Sequence, residues 1–299
     1  MDVCVIGGSR HFGRRLVEEL RDAGASVTVV NRGSTPAPPG VTHLRADRDD
    51  EGGLLAALGG RRFDAVVDQV CYTPVQAAVA ARVFAGRTPR YLLTSTVEVY
   101  AHLGRPGGPP LPEQALDLSA EPVDLHLPWG EPEFANSRYA EGKRQAEALL
   151  TRSAPFDLVT VRTAHVLGGA DFTGRLAHYV ERIRRGLPVA VHPAPQRASF
   201  VHAPEIARFL ARAVTAEFTG PVNAASERPL DVRELCALVG RATGVEPVFT
   251  TPAGAPPTPP SPFFFDRCYA MDTTRATRLG FRFSPVTDWL PRAVEEALA

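Results

Sequence analysis

The sequence predicts an α/β fold in which helices cover both faces of a parallel sheet. Short apolar runs alternate with longer amphipathic segments through the first third of the 299-residue chain. Such alternation is the pattern of strand–helix–strand units, whose strands pair in parallel. The first apolar run also leads directly into a glycine-rich turn and then a helix. That order is typical of a doubly wound sheet.

The elements of the first third follow from their periodicity. Residues 3–6 form a continuous apolar run, as expected for a strand that is buried on both faces. Leu16, Val17 and Leu20 fall on one face of a helix over residues 12–23. The same criteria predict strands at 26–30, 41–44, 65–68 and 91–94, and helices at 54–58 and 75–84.

The rest of the chain is less regular. A stretch rich in proline and glycine, residues 101–136, precedes a helix that runs to residue 150. Loops of this length inside a compact domain usually carry function. The proline-dense segment 250–262 is interpreted as a linker or lid. Further strands are predicted at 157–161, 200–201 and 221–224, and further helices at 175–185, 204–214, 232–242 and 289–298.

Composition restricts the class of protein. The formal net charge is zero, with 44% hydrophobic and 22% charged residues, so no polyanionic partner such as nucleic acid is expected. Four well-separated cysteines predict neither a disulfide framework nor a zinc site, and no histidine pair has a metal-binding spacing. The N-terminus does not have the pattern of a secretory signal, and no apolar run is long enough to cross a bilayer. We therefore expect a cytoplasmic protein without a metal.

The turn Gly7-Gly8-Ser9-Arg10-His11-Phe12-Gly13 joins the first predicted strand to the first helix. In a doubly wound, Rossmann-like fold this is where backbone N–H groups and a helix N-terminus hold a dinucleotide pyrophosphate. Gly7 permits the tight turn, and Gly13 permits close packing of helix on strand. A third glycine is expected at position 10, where Arg10 stands instead. Its guanidinium either obstructs the phosphate or clamps it.

The end of the second strand indicates which dinucleotide binds. An NAD site usually places an acid here for the ribose 2′-hydroxyl, whereas this chain has Asn31 followed by Arg32. An arginine suits a 2′-phosphate through charge-assisted hydrogen bonds. The sequence therefore favours NADP(H) over NAD(H).

A second group of residues indicates chemistry. Thr94-Ser95-Thr96 ends the fifth strand, on the edge where open α/β sheets place their sites. Tyr139 and Lys143 are four residues apart, so they share one face of a helix, and Lys143 is the only lysine among 33 basic residues. A tyrosine whose pKa is lowered by a neighbouring ammonium can exchange a proton with a substrate oxygen at neutral pH. Thr96 can steady that oxygen, with Ser95 as the competing hydroxyl, and Lys143 can also hold the nicotinamide ribose.

Taken together, these motifs resemble an extended short-chain dehydrogenase/reductase of the NAD(P)-dependent epimerase/dehydratase group. The resemblance covers about the first 220 residues. It rests on the turn at 7–13, on Asn31-Arg32, on Asp47, on Thr94-Ser95-Thr96 with Val99-Tyr100, on Tyr139-x-x-x-Lys143 and on the segment 162–168.

The resemblance implies a role for each matching residue. Thr96 takes the Ser/Thr position, Tyr139 is the general acid/base and Lys143 lowers its pKa. Asp47 contacts the adenine. The other cofactor contacts are Thr94, Gln69, Val70 and Cys71, with Thr163, Ala164 and His165 near the nicotinamide. This chain departs from the family pattern at Arg10 and at Thr163-Ala164, where Pro-Gly is usual.

The function predicted is that of an NADP(H)-dependent oxidoreductase, a ketoreductase of a small molecule. The alternative is a nucleotide-sugar epimerase or dehydratase that uses bound cofactor transiently. A third hypothesis is a non-catalytic dinucleotide-binding or RNA-associated protein, against which the intact Thr96, Tyr139 and Lys143 argue. Residues 1–167 are predicted to bind the cofactor, with segment 197–224 returning to that domain, and 168–299 to bind mainly substrate. A homodimer would fit the family.

Overall fold

The computed structural model describes residues 1–252 and 260–298. The chain divides into two compact units. Unit 1 comprises Met1–Val99, Glu113–Arg162 and Ala207–Val222. Unit 2 comprises Tyr100–Pro112, Thr163–Ile206 and the described residues of 223–298. The division of labour between the two regions of the chain stays a prediction.

Strands and helices alternate through the first part of the chain, as the sequence predicts. The strands are β1 (Asp2–Ile6), β2 (Ser26–Asn31), β3 (Thr42–Arg45), β4 (Ala65–Asp68), β5 (Arg90–Thr96), β6 (Asp157–Thr163), β7 (His165–Leu167), β8 (Val189–Ala190), β9 (Phe200–His202), β10 (Gly220–Ala224) and β11 (Phe249–Thr250). The helices are α1 (His11–Asp22), α2 (Glu51–Leu58), α3 (Pro74–Phe84), α4 (Pro132–Ser137), α5 (Tyr139–Ser153), α6 (Arg175–Arg184), α7 (Ala203–Ala213), α8 (Val232–Thr243), α9 (Thr274–Arg278) and α10 (Val286–Leu298).

A seven-stranded parallel sheet organises the fold, in the order β10-β6-β5-β4-β1-β2-β3. The strand order reverses between β1 and β4, which is the switch point at which doubly wound sheets bind ligands. The central strands are apolar and buried along almost their whole length, so both faces of the sheet need helices. The predicted Rossmann-like fold class is confirmed.

One core of unit 1 lies where α3 and α5 pack together beside β4 and β5. Val66, Val83, Tyr91 and Leu150 are among its members and none is more than 1% exposed. Tyr91 stacks on Phe156 with ring centroids 4.7 Å apart. This packing fixes α5, the helix that carries Tyr139 and Lys143, against the sheet.

Unit 2 has a separate core, formed by α6, α8 and α10 and the strand pair β7–β9. Phe263 is buried there and stacks on Tyr179 at 5.4 Å, while its amide donates to the Tyr179 hydroxyl at 2.7 Å. Phe263 is thus a core residue of unit 2. Most of the predicted linker or lid, residues 253–259, lies outside the described residues.

None of the described helices has the length and apolar character needed to cross a bilayer.

Candidate active site

The glycine-rich turn joins β1 to α1 at the switch point of the sheet. Gly7 and Gly8 have φ angles of +93° and +72°, in the left-handed region that favours glycine. A Cβ on Gly8 would lie 2.8 Å from Val5 Cγ1, and a Cβ on Gly13 would overlap Gln69 Oε1. The N-terminus of α1 is not capped by the side chain of Arg10, and such uncapped N–H groups bind anions. The turn therefore fits a dinucleotide pyrophosphate.

Two polar side chains brace this turn. Asn31 Nδ2 donates to Ser9 Oγ at 2.6 Å, and Asn31 Oδ1 accepts from the Gly33 amide at 2.6 Å. Arg10 Nε donates to Thr35 Oγ1 at 3.1 Å, which ties the guanidinium to the loop after β2. His11 and Phe12 stack edge to face at 5.3 Å. Asn31 thus connects the turn to the end of β2 rather than standing apart as a solvated side chain.

One arginine follows the end of β2, and another ends β3. Arg32 is exposed, and Arg45 is the register partner of Asn31 in the parallel pair. The Arg45 side chain passes within 3.1 Å of where a Cβ on Gly33 would lie. Neither guanidinium has an ion-pair partner in residues 1–252 and 260–298. Asp47, also exposed, accepts a hydrogen bond from the Asp49 amide at 3.1 Å.

The end of β4 carries a buried charge. Asp68 pairs with Arg48 Nη1 at 2.6 Å and accepts from the Tyr91 hydroxyl at 2.5 Å. Gln69 and Val70 beyond it are half-buried, and Gln69 Nε2 has no hydrogen-bond partner in the part of the chain that the structure describes. Cys71 is fully buried, and its expected contact with a cofactor stays a prediction.

The three hydroxyls at the end of β5 are separated by the alternation of the strand. Ser95 Oγ donates to Glu147 Oε1. Thr94 and Thr96 belong to the opposite face. Thr96 Oγ1 accepts from the Glu98 amide at 3.2 Å, which leaves its hydroxyl hydrogen for donation. Thr94 Oγ1 is buried with no hydrogen-bond partner among the described residues. Ser95 is therefore committed to the interior, whereas Thr94 and Thr96 share the other face.

Glu147 belongs to a second buried ion pair. Its carboxylate meets Arg162 Nη2 at 2.6 Å, and both side chains are fully buried. Arg162 Nη1 also donates to the Glu113 carbonyl at 2.9 Å. This network links α5 to β5 and β6, so it fixes the helix face that carries Lys143, one turn before Glu147.

Lys143 is 2% exposed, and its Nζ donates to the Thr94 carbonyl at 2.8 Å. Burial lowers the pKa of Lys143 to about 8, while Cys71, Asp68 and Glu147 favour its charged form and Arg48 opposes it. Tyr139, one helical turn earlier, is 36% exposed. The structure thus places the predicted tyrosine at the surface and the predicted lysine beneath it, bonded to the predicted strand end.

Thr163, Ala164 and His165 lie in unit 2. His165 is 5% exposed and surrounded by the rings of Phe200, Phe263, Phe265 and Tyr269, with centroid distances of 5.2–5.9 Å. Burial and the nearby Arg175 lower the pKa of His165 to about 3, so the ring is neutral at physiological pH. Its expected contact with the nicotinamide stays a prediction.

The sequence does not single out three side chains that the structure brings to this region: Tyr72, Arg45 and Glu147. Tyr72 follows β4, and its ring lies 4.7 Å from Lys143 Nζ and 6.1 Å from the Tyr139 ring. Arg45 ends a strand next to Asn31, so a register prediction for β2 and β3 would have found it. Glu147 lies one turn beyond Lys143, which is a detectable i, i+4 signal.

A glycine-rich turn at the switch point, a strand-end threonine pair and a Tyr-x-x-x-Lys helix are features of an NAD(P)-dependent enzyme of the short-chain dehydrogenase/reductase class. The family model for the NAD dependent epimerase/dehydratase family matches residues 3–225. This chain belongs to that family, as the resemblance of its motifs predicts.

A curated relative has a reductase activity. The 2′-dehydrokanamycin reductase of Streptomyces kanamyceticus is 28% identical over 255 residues. The match covers 81% of this chain and 66% of that protein, slightly less than two thirds of its length.

Solved structures with the same fold include epimerases. The UDP-glucose 4-epimerase of Thermotoga maritima with UDP-glucose matches with a TM-score of 0.75 and 20% identity, over 99% of this chain and 98% of that one. The UDP-glucose 4-epimerase of Thermus thermophilus with NAD matches with a TM-score of 0.71 and 21% identity, over 100% and 99%. At this level of identity the likeness establishes the fold.

Proposed function

We propose that this protein is an NADP(H)-dependent ketoreductase that reduces a carbonyl of a small molecule. The observation that carries the proposal is the buried Lys143 ammonium bonded to the Thr94 carbonyl, with Tyr139 partly exposed one turn before it. A reduction needs a proton donor at the substrate oxygen, and these residues supply one at a strand end where ligands bind.

Tyr139 gives its phenolic proton to the substrate oxygen. The nearby Lys143 charge stabilises the phenolate that remains, because an opposite charge favours the ionised form of an acid. Thr96 donates its hydroxyl hydrogen to the same oxygen, since its Oγ1 already accepts from the Glu98 amide. Ser95 takes no part because it is bonded to Glu147 in the interior.

The turn at Gly7–Gly13 and the N-terminus of α1 would hold the pyrophosphate of the cofactor. A reduced nicotinamide, when bound, supplies a hydride to the carbonyl carbon. Arg32 and Arg45 would pair with a 2′-phosphate, and this pairing favours NADP(H) over NAD(H). Asp47, Gln69, Val70, Thr163 and His165 are the further proposed cofactor contacts.

The ketoreductase hypothesis gains support from the Streptomyces kanamyceticus relative, whose named activity is a reduction. A nucleotide-sugar epimerase or dehydratase is the second candidate, supported by the description of the family itself. The two differ in stoichiometry. A reductase consumes one NADPH per product, whereas an epimerase regenerates its bound cofactor within each turnover.

Replacing Tyr139 by Phe tests the assignment. The Tyr139→Phe variant loses the acidic proton but keeps the ring, so we expect kcat to fall by about 10²–10⁴-fold. Stopped assays with a panel of ketones and of UDP-sugars would record NADPH absorbance and product together. Phe172→Tyr, on an exposed residue, is a control for an added phenol elsewhere. Full turnover by a cofactor-bound Tyr139→Phe enzyme would exclude Tyr139 as the acid.

A further inference from the structure

The ring of Tyr72 lies close to both residues that carry the proposed chemistry. Lys143 Nζ lies 4.7 Å from the ring centroid. The Tyr139 ring lies 6.1 Å away at an interplanar angle of 46°. Tyr72 is itself 41% exposed, so one part of the ring faces the buried ammonium and another faces outward.

The backbone of Tyr72 is held on both sides. The Tyr72 amide donates to Gln76 Oε1 at 2.7 Å, and Gln76 is held in turn by Asp49 at 2.8 Å. From the other side α5 approaches so closely that a Cβ on Gly142 would lie 2.5 Å from the Tyr72 carbonyl. The backbone from which the ring projects towards Lys143 is therefore held between the start of α3 and α5.

Lys143 needs such a neighbour because its charge is poorly solvated. It has three N–H donors, and the hydrogen bond to the Thr94 carbonyl uses one of them. The charged and titratable groups that act on it are Cys71, Asp68 and Arg48 on neighbouring elements and Glu147 on its own helix. An aromatic face within about 6 Å attracts a cation through its quadrupole, most strongly when water is excluded.

We propose that Tyr72 is a positioning residue for the reaction, whose ring face keeps the Lys143 ammonium charged and directed beneath Tyr139. The inference rests on the proposed function for its consequence but not for its physical basis. The phenol oxygen of Tyr72 plays no part, because the interaction with the cation is made by the ring. Burial holds the pKa of Lys143 near 8, close enough to neutrality that losing the ring would discharge a large share of the ammonium.

Because Lys143 is the only lysine, its titration can be read directly. Protein grown with ε-¹³C-lysine gives a single lysine side-chain resonance, whose chemical shift is followed against pH in the wild type and in Tyr72→Phe and Tyr72→Leu. Tyr72→Leu fills similar space without a π face, and we expect it to lower the pKa of Lys143 by about 0.5 to 1.5 units. Tyr72→Phe keeps the ring, so the pKa of Lys143 in this variant should lie within about 0.2 of the wild-type value.

A pKa of Lys143 that is unchanged or raised in Tyr72→Leu would overturn the inference, as would an equal fall in Tyr72→Phe. Tyr72→Met repeats the test if the leucine variant does not fold, as judged by the spread of its amide resonances. In the active enzyme, Tyr72→Leu should lower kcat near pH 8 by about twofold to sixteenfold, in proportion to the lost charged fraction of Lys143, while KM for NADPH is retained. If Tyr139→Phe is inactive but Tyr72→Leu leaves the pKa of Lys143 unchanged, only this inference is refuted. If Tyr139→Phe is active, the proposed function is refuted.

Discussion

At the residue scale, the proposed role of Lys143 depends on the difference between lysine and arginine. The chain uses arginine for every other basic residue, yet Lys143 alone fills a buried space with one hydrogen bond to a strand carbonyl. A guanidinium is broader, planar and rigidly forked, so it does not fit where a compact ammonium does. Here a substitution that conserves charge does not conserve geometry.

We therefore expect Lys143→Arg to lower kcat by about 10²-fold, the lower end of the range for groups that act in proton transfer. The measurement is kcat with NADPH and an accepted ketone, alongside cofactor binding by calorimetry. Arg144→Lys on the same helix makes the reverse exchange at a partly exposed position and serves as the matched control. Activity near wild type in Lys143→Arg would mean that the lone lysine is an accident of composition.

A second residue-scale prediction concerns the cofactor. Removing the exposed guanidinium in Arg32→Ser should raise the Kd of NADPH by about tenfold to a hundredfold, since a hydrogen bond to a charged group contributes about 1.5–3 kcal/mol. The Kd of NADH should change little, because it has no 2′-phosphate. Calorimetric titrations with both dinucleotides make the comparison, with Arg61→Ser, another exposed arginine, as control. Equal losses for the two cofactors would remove Arg32 from the 2′-phosphate site.

At the element scale, the packing of α5 depends on a position without a side chain as well as on the side chains that it carries. Glycine usually weakens a helix interior. At Gly142, however, a side chain is excluded by the Tyr72 carbonyl and by Trp129, which would lie 2.5 Å and 3.2 Å from a Cβ there. The glycine between Tyr139 and Lys143 therefore lets the helix lie close to the loop after β4.

Gly142→Ala should lower the free energy of unfolding by about 1–3 kcal/mol, the usual cost of overpacking. Gly52→Ala in α2 is the matched control. A Cβ there meets only Asp50 Oδ1 at 3.6 Å, so about 0.5–1 kcal/mol of stabilisation is expected. Urea unfolding curves of both variants give the comparison. If Gly142→Ala is as stable as Gly52→Ala, α5 does not need this close approach.

Elements built on strong periodicity could be predicted from the sequence, and those built on long-range pairing could not. The strand over residues 65–68 is predicted at its observed bounds, because the apolar run Ala65-Val66-Val67 ends at Asp68. The strands β7, β8 and β11 have only two or three residues each, which is too short for any periodicity to emerge, whereas the sequence does predict β9, at residues 200–201. The strand β5 extends to Thr96, two residues beyond the run predicted at 91–94, and its bonds to Glu147 and Lys143 on α5 are seen only in the folded chain.

The candidate site shows the same division. Tyr139, Lys143 and Thr96 could be found because their spacing and order are local or follow from strand ends. Tyr72 could not be found, because its proposed role depends on a contact with Lys143, 71 positions further along the chain. No pattern in the sequence around Tyr72 indicates a neighbouring cation. Asn31 was found as a candidate contact, but its bonds to Ser9 and Gly33 depend on the folded turn.

At the scale of the whole molecule, unfolding should respond to pH through buried histidine. His165 is neutral in the fold, with a pKa near 3, whereas in the unfolded chain its pKa is about 6.5. Its depressed folded pKa means that the stability it contributes is present above pH 6.5 and is lost as the pH falls towards 3. The pKa of His178 is shifted in the same direction, also by burial.

The free energy of unfolding should therefore fall by about 2 kcal/mol between pH 7 and pH 5 on account of His165 alone. Urea titrations at each pH measure it. His165→Leu should flatten this dependence, and His126→Leu, at an exposed histidine, should leave it in place. A wild-type stability that is constant from pH 7 to pH 5 would show that His165 is not buried as a neutral ring.

Because the chain has a single lysine, a lysine-specific protease has one bond to cut, and the burial of Lys143 protects that bond. A protease that cleaves only after lysine can cut this protein at a single peptide, between Lys143 and Arg144, in the middle of α5. It reaches that bond when α5 detaches from the sheet, and the cut yields two fragments of defined length. The rate of that cut would thus measure how often α5 detaches from the sheet. Slower cutting in the presence of NADPH would measure how strongly the bound cofactor stabilises the attached helix.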